Sequence, residues 1–353
     1  MKLNRLRWIV LTFFITGFLL QCSSEEQGTE FDEVETTEIV NIELFIEFEQ
    51  GGLLVPGQID MLNGSDIAIL DFQRSEVLVF SPESESLLSF GGEGRGPGEA
   101  LAARSLQIID NDLFIVDPEQ LRVNQFTLSG EFIRSFNFDT GRSLREITVT
   151  GNGQYISAAM GENGSLVKKR NVDEANESFF GEAMVTDFEY GDMEIERRTL
   201  QNREIPDLYK NRITTTFGDN HIYVFLDAYS KIQKYTKDGE LILDRELNLP
   251  VNEKIFDHAV QRAREPGAPN TVPSWRYITS MKVVEDELYL LWAPFEDTPR
   301  QLVRVNAAGE VEKIYHIPEE EPMFADFAID LSSEKIYLTA PDRGEVYVGE
   351  IEL

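Results

Sequence analysis

Side chains able to do chemistry are sparse and scattered in this 353-residue chain. Its three histidines, His221, His258 and His316, stand far apart, with no H-E-x-x-H pair and no cysteine beside them. That spacing offers no zinc site. The single cysteine, Cys22, excludes a disulfide framework and any multi-cysteine zinc or iron–sulfur centre. There is no G-x-S-x-G elbow to raise a nucleophilic serine and no D-x-[DN]-x-[DN]-G calcium loop. The run 91–99, GGEGRGPGE, carries glycine amides of the kind that cradle anions. It fits neither G-x-G-x-x-G nor G-K-[ST], so it reads as a glycine-rich turn stiffened by Pro97, with Arg95 as its one candidate ligand contact.

Arginines give the stronger signal. Two insertions, 184–211 and 248–276, collect Arg197, Arg198, Arg203, Arg262, Arg264 and Arg276 in an otherwise acidic chain, and Trp275 adjoins the last of them. Guanidinium groups near an aromatic ring suit carboxylate or phosphate. They also pair with local carboxylates. Within the second insertion, residues 252–265 place Ile255, Phe256 and Val260 on one side, which predicts a short amphipathic helix. The acidic run Glu319-Glu320-Glu321 lies between prolines and reads as a solvated loop.

Composition narrows the field. The formal net charge is −31, from 63 acidic against 32 basic residues. A chain this acidic is not a phosphate-backbone binder, so no nucleic-acid partner is expected. Its 42% hydrophobic content provides a substantial core. At the start, Lys2, Arg5 and Arg7 precede a 13-residue apolar run, 8–20, too short to span hydrocarbon. This is the pattern of a secretory signal, and Leu19-Leu20-Gln21-Cys22 resembles a bacterial lipobox. Residues 1–21 are therefore expected to be removed and Cys22 lipidated, which anchors the chain to a membrane. Residues 22–38 contain seven acidic and no basic residues and read as a solvated tether.

Beyond residue 39 short β-branched and aromatic runs alternate with Gly, Asn, Asp and Ser clusters. Segments 66–91, 112–137, 221–246, 287–316 and 335–353 match one another, and 154–183 is a weaker copy. Markers Ile67, Leu113, Tyr155, Ile222, Leu288 and Ile336 are spaced by 46, 42, 67, 66 and 48 residues. A period of about 40–50 residues with four strands per unit is the signature of a β-propeller. Continuous apolar runs such as 67–70 and 113–116 read as innermost strands, covered on both faces. The last copy lacks a fourth strand, while 40–48 alternates as a half-exposed outer strand does. The expected fold is all-β: residues 39–353 as one six-bladed ring, with 40–48 paired to 345–353.

The repeated pattern of apolar strand, Asp, polar turn and Gly-turn, together with Phe90-Gly91-Gly92-Glu93-Gly94-Arg95-Gly96-Pro97-Gly98-Glu99, resembles six-bladed propeller lipoproteins of Bacteroidota, related to NHL and TolB-like repeats. The resemblance spans roughly residues 40–353 and implies a fold and a cell-envelope location more than a chemistry; periplasmic and surface sides both remain open. The favoured reading is a non-catalytic lipoprotein that binds an anionic ligand or a protein partner. Its surface would be the face shared by the 91–99 loop and the two insertions, with Arg95, Arg197, Arg198, Arg262, Arg264, Trp275 and Arg276 as candidate contacts. The alternative is a gluconolactonase-like hydrolase or lyase with a metal such as calcium in the central channel. No other cofactor is expected.

Overall fold

The computed structural model describes residues 34–62, 64–139, 147–151, 153–186, 191–266, 271–292 and 300–353. Cys22, the signal sequence and the tether as far as residue 33 lie outside them.

From Val34 onward the chain forms one compact unit built of six antiparallel sheets. We call them blades 1–6 in chain order. Their first strands are Pro56–Leu62, Ser105–Ile109, Ile147–Gly151, Ile213–Gly218, Ile278–Val284 and Asp326–Asp330. Each first strand lies at one edge of its sheet and contacts the first strands of the two neighbouring blades, which closes the ring. The apolar core sits between blades rather than within them. Ile67, Ile69 and Tyr337 pack at the seam of blades 6 and 1, and Leu70, Leu106 and Leu113 at the seam of blades 1 and 2.

The apolar runs expected to be innermost are in fact second strands, Asp66–Asp71 and Asp112–Asp117. A second strand has a strand on each side and a blade on each face, so it is the most completely apolar. The first strand borders the axial channel and mixes polar with apolar residues.

The repeated aspartate has a mechanical role. Asp71 and Asp117 end second strands and are fully buried. Asp71 Oδ2 accepts from the amides of Leu54 and Val55, at 2.6 and 3.1 Å, and Oδ1 accepts from Gln73 and Arg74. Asp117 does the same with Leu101, Glu119 and Gln120. One carboxylate thus ties the incoming crossover to the turn between second and third strands.

Closure follows the expected pairing, then exceeds it. Val40–Ile46 pairs antiparallel with Glu345–Glu350 and is the fourth strand of blade 6. Just before it, Glu35–Glu38 adds a fifth strand, parallel, to the outer edge of blade 5. Residues 35–38, expected in the tether, are therefore part of the propeller. Two features hold this strap: Lys313, whose side chain is 5% exposed, meets Glu35 at 2.8 Å, and Ile39 is fully buried between blades 5 and 6 among Tyr315, Ile317 and Phe327.

Candidate functional site

Two places collect polar side chains: the axial channel and the face bearing the crossovers. In the channel the free edge of each first strand needs hydrogen-bond partners, and side chains of the preceding blade supply many of them. Gln58 Oε1 on blade 1 accepts from Leu106 N on blade 2 at 2.6 Å. Gln107 on blade 2 accepts from Val149 N and donates to Ile147 O on blade 3. Thr148 on blade 3 donates to Thr215 O on blade 4 at 3.0 Å. At the junction of blades 4 and 5, Gly218 packs against Val283 instead.

The ring's closing seam is tied by charge. Asp326 on blade 6, its side chain 3% exposed, accepts from Ile59 N on blade 1 at 3.0 Å and from the Ser280 hydroxyl on blade 5. Lys282 on blade 5 reaches across blade 6: its ammonium lies 3.2 Å from Asp326 Oδ2 and donates to Ile59 O on blade 1. Asp60, on the same strand as Ile59, completes the cluster. Burial pushes its carboxyl above the ordinary carboxylate range; Lys282 opposes that shift and Asp326 adds to it. Among the described residues no three His, Cys, Asp or Glu side chains converge on a metal position. The buried channel carboxylate of Asp326 already pairs with the Lys282 ammonium.

The 91–99 loop satisfies itself. Glu99 Oε2 accepts from Gly96 N at 2.7 Å and sits where a Cβ on Gly94 would be 2.0 Å away. The glycine-lined hollow thus holds the loop's own carboxylate. From blade 2, Arg122 and Asn124 donate to Glu99 O, and Gln120 donates to Gly94 O. Arg95 is exposed.

Both insertions connect the last strand of one blade to the first strand of the next, as the 91–99 loop does. Antiparallel four-stranded connectivity puts all three on the same face. The structure also packs the two insertions together. Helices α1 (Met193–Gln201) and α2 (Asp207–Lys210) lie in the first, and α3 (Pro250–Arg264) in the second. Pro250 starts α3, where a missing N–H costs nothing. Val251, Ile255, Ala259, Val260 and Ala263 form its buried side, which meets the helix expected over 252–265.

Arg197 explains how α1 and α3 are joined. It is 8% exposed, and its Nε and Nη2 donate to Ala263 O and Glu265 O at 2.7 Å each, with Nη1 to Thr271 O at 3.1 Å. A cation against the last carbonyls of a helix also complements the helix dipole. Arg264 returns the bond, Nη2 to Gln201 O at 2.7 Å. Trp275 is buried, ringed edge-on by Tyr209 and Phe256 at 5.1 Å, and burial pushes the Tyr209 hydroxyl up to about 12. Of the expected contacts, then, Arg197 and Trp275 are inside the cap and hold it together. Arg198 pairs with Glu194 at 2.8 Å on the surface, Arg262 and Arg264 are exposed, and Arg276 is half-buried. Arg203 pairs with Asp257.

The cap and blade 4 enclose a cleft of about 540 Å³, lined by Ile195, Glu196, Thr199, Glu204, Ile205, Asp207, Lys210 and Tyr229. Three carboxylates face one lysine there, and Lys210 is already paired with Asp207 at 2.6 Å. Burial, with Asp207 adding, raises the Glu196 carboxyl. Ile195 at the rim is 60% exposed. These residues gave no sequence signal, since the cleft combines an insertion with a turn of blade 4.

Residues 28–198, roughly half the chain, match the DUF5128 family, described as a 6-bladed beta-propeller. The chain is a six-bladed β-propeller. Among solved structures, the propeller is similar to a member of the DUF4221 family from Bacteroides vulgatus, with 10% identity, TM-score 0.55, and coverage of 89% of this chain and 97% of that one. An exported protein of Bacteroides fragilis gives 10% identity, TM-score 0.54, and coverage of 91% and 99%. Virginiamycin B lyase from Staphylococcus aureus gives 12% identity, TM-score 0.49, and coverage of 88% and 99%. No curated protein matches the propeller's sequence. The expected resemblance to six-bladed propeller proteins of Bacteroidota is borne out in the fold.

Proposed function

We propose that this propeller is a non-catalytic binding module of the cell envelope, held to a membrane through Cys22, whose docking surface is the helical cap on the crossover face. The observation carrying this reading is the cleft between the cap and blade 4. A buried arginine and a buried tryptophan brace its walls, and a large apolar side chain, Ile195, stands exposed at its rim. Loops braced on a rigid scaffold are where binding residues concentrate. In the channel, by contrast, Gln58, Gln107, Thr148 and Asp326 all engage neighbouring blades, which gives the hydrolase or lyase reading less support. The cleft's charge also revises the ligand class. Three carboxylates against one lysine suit a partner that presents a basic group, rather than the anionic ligand expected from the arginines.

The test is site-specific photo-crosslinking from position 195 in intact cells, with position 242 on the outer strand of blade 4, half exposed and also isoleucine, as the control. A discrete adduct from 195 that Glu204→Arg weakens is the expected outcome. Equal labelling from both positions would overturn the assignment of the face.

A further inference from the structure

The outer edge of the ring repeats a feature that the fold itself does not need. In blades 1, 2, 4 and 5 the fourth strand begins with a β-bulge, and the unpaired residues are Leu87, Ile133, Ile242 and Glu312. Glu312 shows that a bulge at this position accepts a charge. On the other three blades it carries an aliphatic side chain, and Leu87, Ile133 and Ile242 are 48, 45 and 50% exposed. One exposed aliphatic residue is ordinary. Three at one position of a repeat are not, because equivalent positions around a ring share one level along its axis. That level is the end of the fourth strand away from the crossovers. Leu87 also joins Leu62, Val79, Leu88 and Leu128 in lining an open cleft of about 480 Å³ between blades 1 and 2. Two residues before each bulge stands an exposed acid: Glu85, Glu131, Glu240 and Glu310.

The chain enters the propeller at this same level. Glu35, the first residue of the strap, lies opposite Lys313, the neighbour of the Glu312 bulge. Residues 22–33, which lead from Cys22 to the propeller, reach at most about 43 Å when fully extended. A lipid on Cys22 therefore tethers the ring by this end. We infer that the bulge-bearing end of the propeller is its membrane-contact face, on which Leu87, Ile133 and Ile242 enter the bilayer interface and the four glutamates meet ammonium headgroups. The inference rests on the proposed anchoring through Cys22. The carboxylates decide the lipid class. An anionic surface repels them, whereas the ammonium of phosphatidylethanolamine attracts them. The cap and its cleft, on the crossover face, then point away from the membrane, where a partner can reach them.

The experiment uses the chain from residue 22 to 353, coupled through the Cys22 thiol to a maleimide-bearing lipid in vesicles of phosphatidylethanolamine and phosphatidylcholine. The anchor is then present whether or not cells acylate it. Trp275 and Trp292, the tryptophans native to that chain, are buried and give a constant background. Ile133→Trp and Ile242→Trp should lose emission when the acyl chains carry bromine, and Ile195→Trp, on the cap, should not. Adding phosphatidylglycerol should diminish that quenching. Equal quenching of Ile195→Trp, quenching confined to one of the other two, or quenching that phosphatidylglycerol leaves unchanged would overturn the inference. Quenching of neither would overturn it as well and leave a protein as the occupant of the bulges. A Cys22→Ala protein still labelled with palmitate would refute the anchor and not this contact, so the two readings fail separately. A lipid adduct at position 242 is likewise distinct from the discrete protein adduct expected at 195.

Discussion

The ring's closure rests on a strap that a truncation series can dissect. Ile39 links two outer strands: Glu35–Glu38 on blade 5 and Val40–Ile46 on blade 6. Its side chain is fully buried against both blades, and its amide donates to His316 O at 2.9 Å. Truncating a buried isoleucine to alanine removes its transfer energy and leaves a cavity, together about 2–5 kcal/mol. With the amide bond kept, about 3 kcal/mol is the expected loss for Ile39→Ala. For a chain of this size roughly 2 °C of melting temperature corresponds to each kcal/mol, so the variant should melt about 6 °C lower. Deleting everything through residue 34 should change nothing. Deleting through residue 39 should cost more than Ile39→Ala, because it also strips the parallel strand from blade 5 and takes Glu35 from Lys313. Near-ultraviolet circular dichroism during heating, with calorimetry to confirm a single transition, measures all three. Truncations at 34 and 39 that melt together would refute the strap and return residues 35–39 to the tether.

Four further outcomes are expected. Burial lifts the Asp60 carboxyl above its unfolded value, so its contribution favours the fold at pH below about 3.9 and is lost as pH rises through the folded pKa; Asp60→Asn should therefore raise the melting temperature at pH 7 and lose that advantage near pH 3, and a lower melting temperature at pH 7 would contradict the assignment. Asp71→Ala strands the amides of Leu54, Val55, Gln73 and Arg74 and should destabilise by about 3 kcal/mol in urea titration, since unsatisfied buried donors cost 1–3 kcal/mol each. Arg197→Ala should expose α3 to limited proteolysis while the ring's strand signal persists, whereas Arg198→Ala, which removes only an exposed pair, should alter stability by less than about 0.5 kcal/mol; equal protease sensitivity of the two would show that the Arg197 bonds do not hold the cap. Cys22→Ala should abolish metabolic labelling with palmitate and release the protein from membranes, and undiminished labelling would exclude that anchor.

Much of the fold was legible in the residues themselves. Strand and turn chemistry recurs locally, so the six copies could be counted from spacing, and the unpaired edge of the final copy called for an outer strand near residue 40 to cover it. The helix at 250–264 was legible for the same reason: its apolar period lies in one continuous stretch. The site was not legible in this way. Arg197 and Arg198 are adjacent and chemically identical, yet one is buried against four carbonyls and the other is exposed beside Glu194. That difference depends on where α3 lies, and no local pattern encodes it. Glu99 filling its own glycine loop, Lys282 crossing blade 6 to reach blade 1, and a cleft shared by an insertion and blade 4 are likewise contacts over long sequence separations. Periodicity and turn residues are short-range properties, and they determined the blades, their number and their closure. Burial and charge pairing exist only once the ring has closed, so the tertiary structure alone decided which arginines are structural and which carboxylates meet a cation.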